Sequence, residues 1–317
     1  MKLATIAIPT YNRVGSLRRA VGSALAQKHE PLEVVICDNA STDGTESFCR
    51  DIAARDNRVR YVRQPHNVGA LANFESALAE ATGVYFMWLA DDDWLEPNYL
   101  TECVQALENG AHLAAGRAHW VDGNRDDAEA PMTLLAEDPT KRVRRFYWTV
   151  HKNSVFYGVS RTSSVRDLSP VRRSTGGDWL FVASSAFAGT VETIETTAIH
   201  RAGGGSSDTI KDRWSIPTTV VADVLKSPSY GELGTIRRTG LAIQCGAITG
   251  WRIWIRSPVL TCLRKYVGDA RYSQARRLYR KVGRVRSRSE IVSVGVDGQP
   301  IASDASSQRI PPDAAAT

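Results

Sequence analysis

Val84-Tyr85-Phe86-Met87-Trp88-Leu89-Ala90-Asp91-Asp92-Asp93 passes from seven consecutive apolar residues into three consecutive aspartates. A strand with one wet face alternates apolar and polar side chains, whereas a run apolar at every position is the pattern of a strand covered on both faces. Such strands belong to sheets with helices on either side, and the preceding chain supplies both partners. Residues 70–81 read as a helix that stops at Gly83. Further back, residues 3–8, 32–37 and 59–62 are short apolar or β-branched runs that predict three more strands. Between them, Ser16 offers a cap to a helix bearing Leu17, Val21, Ala24 and Leu25, and Phe48 and Ile52 line the face of another. This alternation predicts an α/β fold with a Rossmann-like, mostly parallel sheet and helices on both faces.

After the aspartates, Pro97 suits the first turn of a helix whose Leu100, Val104 and Leu107 form an apolar stripe ending before Gly110. The pattern then loosens. Strands are expected at residues 111–118, 155–160 and 191–199, a helix at 179–187, and a helical, basic region at about 215–285. Residues 297–317 are rich in Ala, Ser, Asp and Pro without periodicity and read as a disordered tail. The resulting division is a catalytic domain at 1–210 (halves 1–110 and 111–210), a basic helical region at 211–290, and a tail at 291–317.

Bulk properties set the outer limits. At 317 residues, 43% hydrophobic and 23% charged, the chain has the composition of a folded globular protein large enough for an enzyme. Five cysteines, Cys37, Cys49, Cys103, Cys245 and Cys262, are widely spaced without a CxxC pair, as expected of reduced thiols in a cytoplasmic protein. No leader or membrane-spanning segment is expected, since the longest apolar stretch, residues 241–254, is interrupted by Gln244 and Arg252 and is shorter than a span requires. The net charge of +6 is uneven: residues 251–290 hold twelve Lys/Arg against two acids. Trp251, Trp254 and Tyr266 lie among these cations, a mixture suited to peripheral contact with an anionic membrane or to a solvated helix packed on the rest of the chain.

In open α/β sheets, ligands bind beyond the carboxyl ends of the strands. The turns after the first, second and fourth expected strands hold the chain's most unusual residues. Three adjacent carboxylates repel one another, so Asp91, Asp92 and Asp93 point to a hard dication, Mg²⁺ or Mn²⁺, or to a solvated acidic loop. Pro9-Thr10-Tyr11-Asn12-Arg13 offers an aromatic face for a base, with Thr10 and Arg13 as donors. In Asp38-Asn39-Ala40-Ser41-Thr42-Asp43-Gly44, Ser41, Thr42 and Asp43 read as helix caps, which leaves Asp38 and Asn39 for a ligand. An aromatic plate, an amide with a carboxylate, and an acidic cluster at one sheet edge are what a nucleoside diphosphate requires.

On these residues the chain resembles glycosyltransferase family 2, the inverting enzymes of GT-A fold, over roughly residues 2–208. Residues 7–13 are similar to the family's first-strand signature, residues 35–43 to its second, and Leu89-Ala90-Asp91-Asp92-Asp93 to its DxD-type motif. The resemblance implies a nucleotide-sugar site formed by Pro9, Thr10, Tyr11, Arg13, Asp38, Asn39, Asn67, Gly69, Asn73, Asp91 and Asp92. It implies that Asp93 holds the metal and that Asp178, in Gly176-Gly177-Asp178-Trp179, is the base that deprotonates the acceptor hydroxyl. His200 matches a histidine that completes the metal site, and Gly203-Gly204-Gly205-Ser206-Ser207 a loop that closes over the donor. Many members carry two aspartates where this chain has Asp38-Asn39, so the base that Asn39 meets is open, with uracil the first expectation. The implied reaction moves a sugar from a UDP-sugar or similar donor to a hydroxyl on a glycan or lipid-linked glycan in cell-surface polysaccharide synthesis.

Two other readings compete. A nucleotidyltransferase also uses acidic metal ligands on such a sheet, but it needs a glycine-rich basic loop after the first strand, where residues 9–15 have one Arg and one Gly. A nucleic-acid-binding protein would account for the basic segment and its aromatics but not for three adjacent aspartates.

Overall fold

The computed structural model describes residues 1–122, 125–150, 152–168, 177–202 and 216–255, with backbone alone at 125, 216–218 and 251–255. Its first part is the expected alternation: β1 (Ala4–Thr10), α1 (Val14–Leu25), β2 (Leu32–Asp38), α2 (Thr45–Arg55), β3 (Val59–Arg63), α3 (Ala70–Ala79) and β4 (Tyr85–Trp88). There follow β5 (Trp94–Leu95), α4 (Tyr99–Glu108), β6 (Leu113–Asp122), β7 (Arg125–Ala128), α5 (Pro139–Thr149), a 3₁₀ turn (Ser154–Tyr157), β8 (Val159–Arg161) and α6 (Thr162–Leu168). The described chain ends with α7 (Gly177–Ala188), β9 (Val191–Ala202), α8 (Ile216–Lys226) and α9 (Thr235–Ile255).

One sheet runs β3-β2-β1-β4-β8-β6-β9-β5, with β7 paired to β6. The ladders β1–β2, β2–β3, β1–β4 and β6–β9 are parallel, and they are the long ones; β8, β5 and β7 join antiparallel through short contacts. Successive residues of β1 and β4 face opposite cores, as a period of two demands. Ile6, Ile8, Tyr85 and Met87 pack with Leu17, Val21, Leu100 and Cys103 of α1 and α4. Ala7, Phe86 and Trp88 pack on the other face with Ala77, Val143, Phe181 and Leu241 of α3, α5, α7 and α9. Both faces are therefore covered, which is why β4 reads as a continuous apolar run.

Several local expectations change. Ser16 lies inside α1 and donates to the Arg13 carbonyl, while the N-terminal Val14 N–H is taken by Asp43 from the neighbouring turn at 3.1 Å. Pro97 precedes Asn98, the N-cap of α4, and so stands outside the helix. The strand expected at 155–160 is a 3₁₀ turn followed by the short β8, because Asn153, at φ 56°, starts a tight turn there. Helix α5 escaped the periodicity reading although Asp138-Pro139 is a strong start: Asp138 accepts from the Thr140 and Lys141 N–H groups, and Pro139 needs no partner. Its Arg142 is buried and donates to the carbonyls of Ala186 and Phe187, satisfying the C-terminal end of α7.

Residues 1–255 form one compact unit, and α8 and α9 pack within it; Leu241, Ala242 and Cys245 of α9 share the core of α5 and α7. No helix among the described residues is long and apolar enough to cross a membrane. The basic, aromatic stretch expected to meet a membrane, the Gly203 to Ser207 loop and the tail at 291–317 lie outside the described residues or, at 251–255, are described by backbone alone.

Close approach at Gly116 fixes the join between the two halves of the sheet, where the β6–β9 register shifts. A Cβ there would lie 2.7 Å from a Tyr99 ring carbon and 2.8 Å from the Thr197 carbonyl oxygen. Gly116→Ala is expected to cost about 1–3 kcal/mol of stability through overpacking. A lowered urea midpoint would register it, and an unchanged midpoint would contradict this packing.

Candidate active site

The carboxyl ends of β1, β2 and β4 meet at one rim. Thr10, paired with Asp38 in the β1–β2 register, donates its hydroxyl to Asp91 Oδ2 at 2.7 Å. Arg13 reaches Asp92 Oδ2 at 2.6 Å and Asp91 Oδ1 at 3.4 Å, so the first turn and the acidic turn are tied by an ion pair. Asn12 is left-handed, at φ 52°, and this lets its backbone N–H donate to Ser41 Oγ while its side-chain oxygen accepts from the Thr42 N–H. Tyr11, between these anchors, is 43% exposed, an aromatic ring held at the rim with its surface in water. Pro9 lies within β1 opposite Cys37, just past the last β1–β4 pair, where its lack of an N–H leaves no ladder bond unmade.

The second turn is more inward than its composition suggested. Asp38 is fully buried, accepting from the Ser41 N–H at 2.9 Å and the Tyr61 hydroxyl at 2.8 Å. Asn39 donates to Asn67 Oδ1 and accepts from the Val68 N–H, which ties the second turn to the loop before α3. Gly69, at φ 87°, is the N-cap of that helix, and its N–H donates to Asn67 Oδ1. Asn73 is buried and donates to the Cys37 carbonyl at 2.8 Å, closing the end of β2. Asp38 and Asn73 are thus braces of the rim, while Asn39 and Asn67 tie its edge to the loop before α3.

The three aspartates have different surroundings. Asp91 is 11% and Asp92 20% exposed in their side chains, whereas Asp93 is 1% exposed. Burial pushes the Asp91 carboxyl up to about 6, against the opposing pull of Thr10 and Arg13. Asp93 turns inward: Oδ2 accepts from Arg201 Nε at 2.9 Å and Oδ1 from the Ala202 N–H at 3.1 Å. Burial raises its carboxyl as well, and Arg201 opposes that rise. The β5–β9 pairing of Trp94 with His200 brings the end of β9 to this turn.

Strand parity decides which side chain of β9 arrives. Arg201 faces Asp93, with its guanidinium 4.4 Å from the Tyr157 ring centre and 4.5 Å from that of Trp120. His200 points to the opposite face, stacked on Trp94 at 5.2 Å and 3.6 Å from Glu96. Alternation along the strand thus turns His200 and Arg201 to opposite faces, and it is Arg201 that reaches Asp93. Arg19, over the Trp94 ring at 3.5 Å and donating to the Asp92 carbonyl, completes a set of cations that the sequence reading missed.

Asp178, in the first turn of α7, lies on the other side of Arg201. Asn153 Nδ2 donates to Asp178 Oδ2 at 2.9 Å, and Arg201 Nη1 donates to the adjoining Ser154 hydroxyl at 3.2 Å. Ser154 in turn donates to Glu129. The acidic turn and Asp178 are thus joined through Arg201 and residues 153 and 154. Burial raises the Asp178 carboxyl, and the Asn153 hydrogen bond is the largest effect opposing it.

Among the described residues, no group of three or more His, Cys, Asp and Glu is placed to enclose a metal ion. A hard dication does not need one, because Mg²⁺-type sites commonly use one or two carboxylates and draw their remaining ligands from phosphate oxygens and water. Asp92 is the most exposed of the three and adjacent to Asp91, whereas Asp93 is buried and accepts from Arg201 and the Ala202 N–H.

Known proteins agree with this geometry. The chain is 30% identical over 167 residues to glycosyltransferase GlyA of Streptococcus pneumoniae, a match covering 52% of this chain and 23% of that protein. It is 37% identical over 112 residues to chondroitin synthase of Pasteurella multocida, covering 35% and 12%. A Campylobacter jejuni GalNAc(5)-diNAcBac-PP-undecaprenol beta-1,3-glucosyltransferase is 30% identical over 122 residues, covering 38% of this chain and 40% of that one. The chain thus spans well under half the length of each. In fold, it superposes on S. aureus TarS residues 1–349 with TM-score 0.59 at 17% identity, covering 77% of this chain and 70% of that one. The same TarS fragment solved with UDP-GlcNAc superposes with TM-score 0.58. Residues 5–168, just over half the chain, match the profile of Glycosyl transferase family 2, so the strand ends, the acidic turn and the sheet order have one common explanation: the chain belongs to glycosyl transferase family 2.

Proposed function

We propose that this protein is a nucleotide-sugar-dependent, inverting glycosyltransferase that moves a sugar from a UDP-sugar to a hydroxyl of a glycan or lipid-linked glycan. The observation that carries the reading is the junction of Thr10 and Arg13 with Asp91 and Asp92, which sets an exposed Tyr11 ring beside an accessible carboxylate at the ends of parallel strands. A base stacks on Tyr11, and Arg13 and Arg19 provide positive charge near the diphosphate. The TarS complex with UDP-GlcNAc makes that donor the first to test.

Asp92, with Asp91, would hold a Mn²⁺ or Mg²⁺, which supplies Lewis-acid stabilisation of the departing diphosphate. Asp178 accepts the proton of the acceptor hydroxyl as that oxygen bonds to the anomeric carbon, and the bond from that carbon to the diphosphate oxygen breaks on the opposite face. Arg201 nearby favours the ionised form of the Asp178 carboxylate, against the desolvation that raises it.

Thermal shift with UDP, UDP-GlcNAc and other nucleotide sugars, with Mn²⁺ or with EDTA, tests the donor half. A ligand that binds only the folded state stabilises it by RT ln(1 + [L]/Kd), so the midpoint rises with the logarithm of ligand concentration above Kd. Tyr11→Ala should weaken nucleotide binding about tenfold, given about 1–3 kcal/mol per stacked base. If no nucleotide shifts the midpoint under either condition, the proposed function fails.

A further inference from the structure

Asn153 carries two local costs that nothing in its own packing offsets. Its backbone is left-handed, at φ 56°, a region that costs a non-glycine residue about 1 kcal/mol or more. Its side chain is 2% exposed, and Oδ1 has no hydrogen-bond partner among the described residues. Buried acceptors are almost always paired, so an unpaired one calls for a reason. The other end of the amide supplies it, because Nδ2 donates to Asp178 Oδ2 at 2.9 Å. Turning the amide over would press Oδ1 against a carboxylate, so Asp178 dictates the orientation and the orphaned oxygen is its consequence.

We propose that Asn153 is the positioning residue of the acceptor base, its left-handed turn aiming one amide N–H at Asp178 so that the carboxylate is held in place for the incoming hydroxyl. This rests on Asp178 being the base, as proposed above. The turn is held from both sides. The Phe156 N–H donates to the Asn153 carbonyl, and Ser154 accepts from Arg201, which is locked between Trp120 and Tyr157 and paired with Asp93. The base is thereby anchored to the same guanidinium that braces the acidic turn.

Among the described residues, the groups facing Asp178 are few. Asn153 and the Trp179 N–H donate to it, Arg201 of β9 is the nearby cation, and Tyr147 of α5 and Tyr157 of the 3₁₀ turn are buried phenols, the latter pushed up to about 12. Neither phenol ionises in the working range, so the amide is the removable neutral contact. Glycine tolerates φ near 56°, and Asn153→Gly therefore deletes the amide while keeping the turn.

The decisive measurement is a ¹³C carboxyl titration of Asp-labelled protein, with the Asp178 signal assigned by its disappearance in Asp178→Asn. Loss of a hydrogen bond to a charged group should raise the Asp178 midpoint by about one pH unit in Asn153→Gly. The acidic limb of UDP release from UDP-GlcNAc should move up by the same amount, giving an about tenfold loss below the limb and near-parent turnover well above it. Asn153→Asp, which places a second carboxylate against the first, should raise the midpoint further. An unmoved Asp178 midpoint in Asn153→Gly, or a rate loss equal at every pH, overturns the proposal. Full turnover in Asp178→Asn would instead remove the base assignment, leaving the Asn153 contact intact but without a catalytic purpose.

Discussion

Asp178→Asn is expected to bind donor as the parent does and to lose turnover by ~10² to 10⁴, the usual contribution of a positioned general base. The amide is isosteric and can keep its contact with Asn153 through its carbonyl oxygen, so the fold and the rim at Tyr11 should not change. What disappears is the ability to take a proton. The loss should therefore fall on kcat, with nucleotide-induced stabilisation unaltered. The pH dependence has a definite sign. Burial raises the Asp178 carboxyl, so the base is lost as pH falls through this raised value, and the parent should show an acidic limb displaced upward from that of an ordinary aspartate. In Asp178→Asn the limb should be absent from the residual rate. Unchanged kcat would take Asp178 out of the mechanism.

How much of this was legible in the sequence depends on whether a residue's neighbours are local. The first four strands and their helices follow from apolar runs and helical spacing, which are properties of adjacent residues, and β4 into Asp91 marks the rim directly. Beyond Gly110 the governing contacts are long-range. Strand β5 is two residues long and exists because β9 pairs with it, and β8 is three residues between β4 and β6. No local pattern announces either. The same distinction separates the site residues. Thr10, Tyr11 and Arg13 sit on a turn whose place is fixed by its own strand, and they lie where expected.

Arg201 carries no local signal that sets it apart from His200; the parity of β9 selects which of the two neighbours reaches Asp93. That parity could be counted only from Ile199, which is buried in the α1 and α4 core with Leu95. Asn153 gave no signal at all, since a left-handed asparagine cannot be told from an ordinary one in sequence. Asp38 also shows what only the fold reveals: at a strand end it accepts from the Ser41 N–H and the Tyr61 hydroxyl, contacts that no local pattern announces.

Asp92 and Asp93 should separate cleanly although they are adjacent. Asp92→Asn is expected to abolish the Mn²⁺-dependent part of nucleotide binding while leaving the urea midpoint near that of the parent, because its carboxylate is partly exposed and its ion pair with Arg13 lies at the surface, where such pairs contribute little. Asp93→Ala should behave in reverse. Its carboxylate is 1% exposed and its partner Arg201 11%, so removing it leaves a buried guanidinium without its paired carboxylate. Breaking such a pair costs about 3–5 kcal/mol. The flanking rings of Tyr157 and Trp120 offset part of that cost, which puts the expectation at the lower end. Replacing both members by apolar residues of similar volume, Asp93→Leu with Arg201→Met, should recover most of the stability, since the penalty comes from the unpaired charge and not from a missing bond. The double variant would still lose the link through Ser154 to Asn153, so recovered stability without recovered turnover is its predicted signature. Near-parent stability in Asp93→Ala together with loss of metal-dependent binding would return the dication to Asp93 and reverse the roles assigned to the two carboxylates.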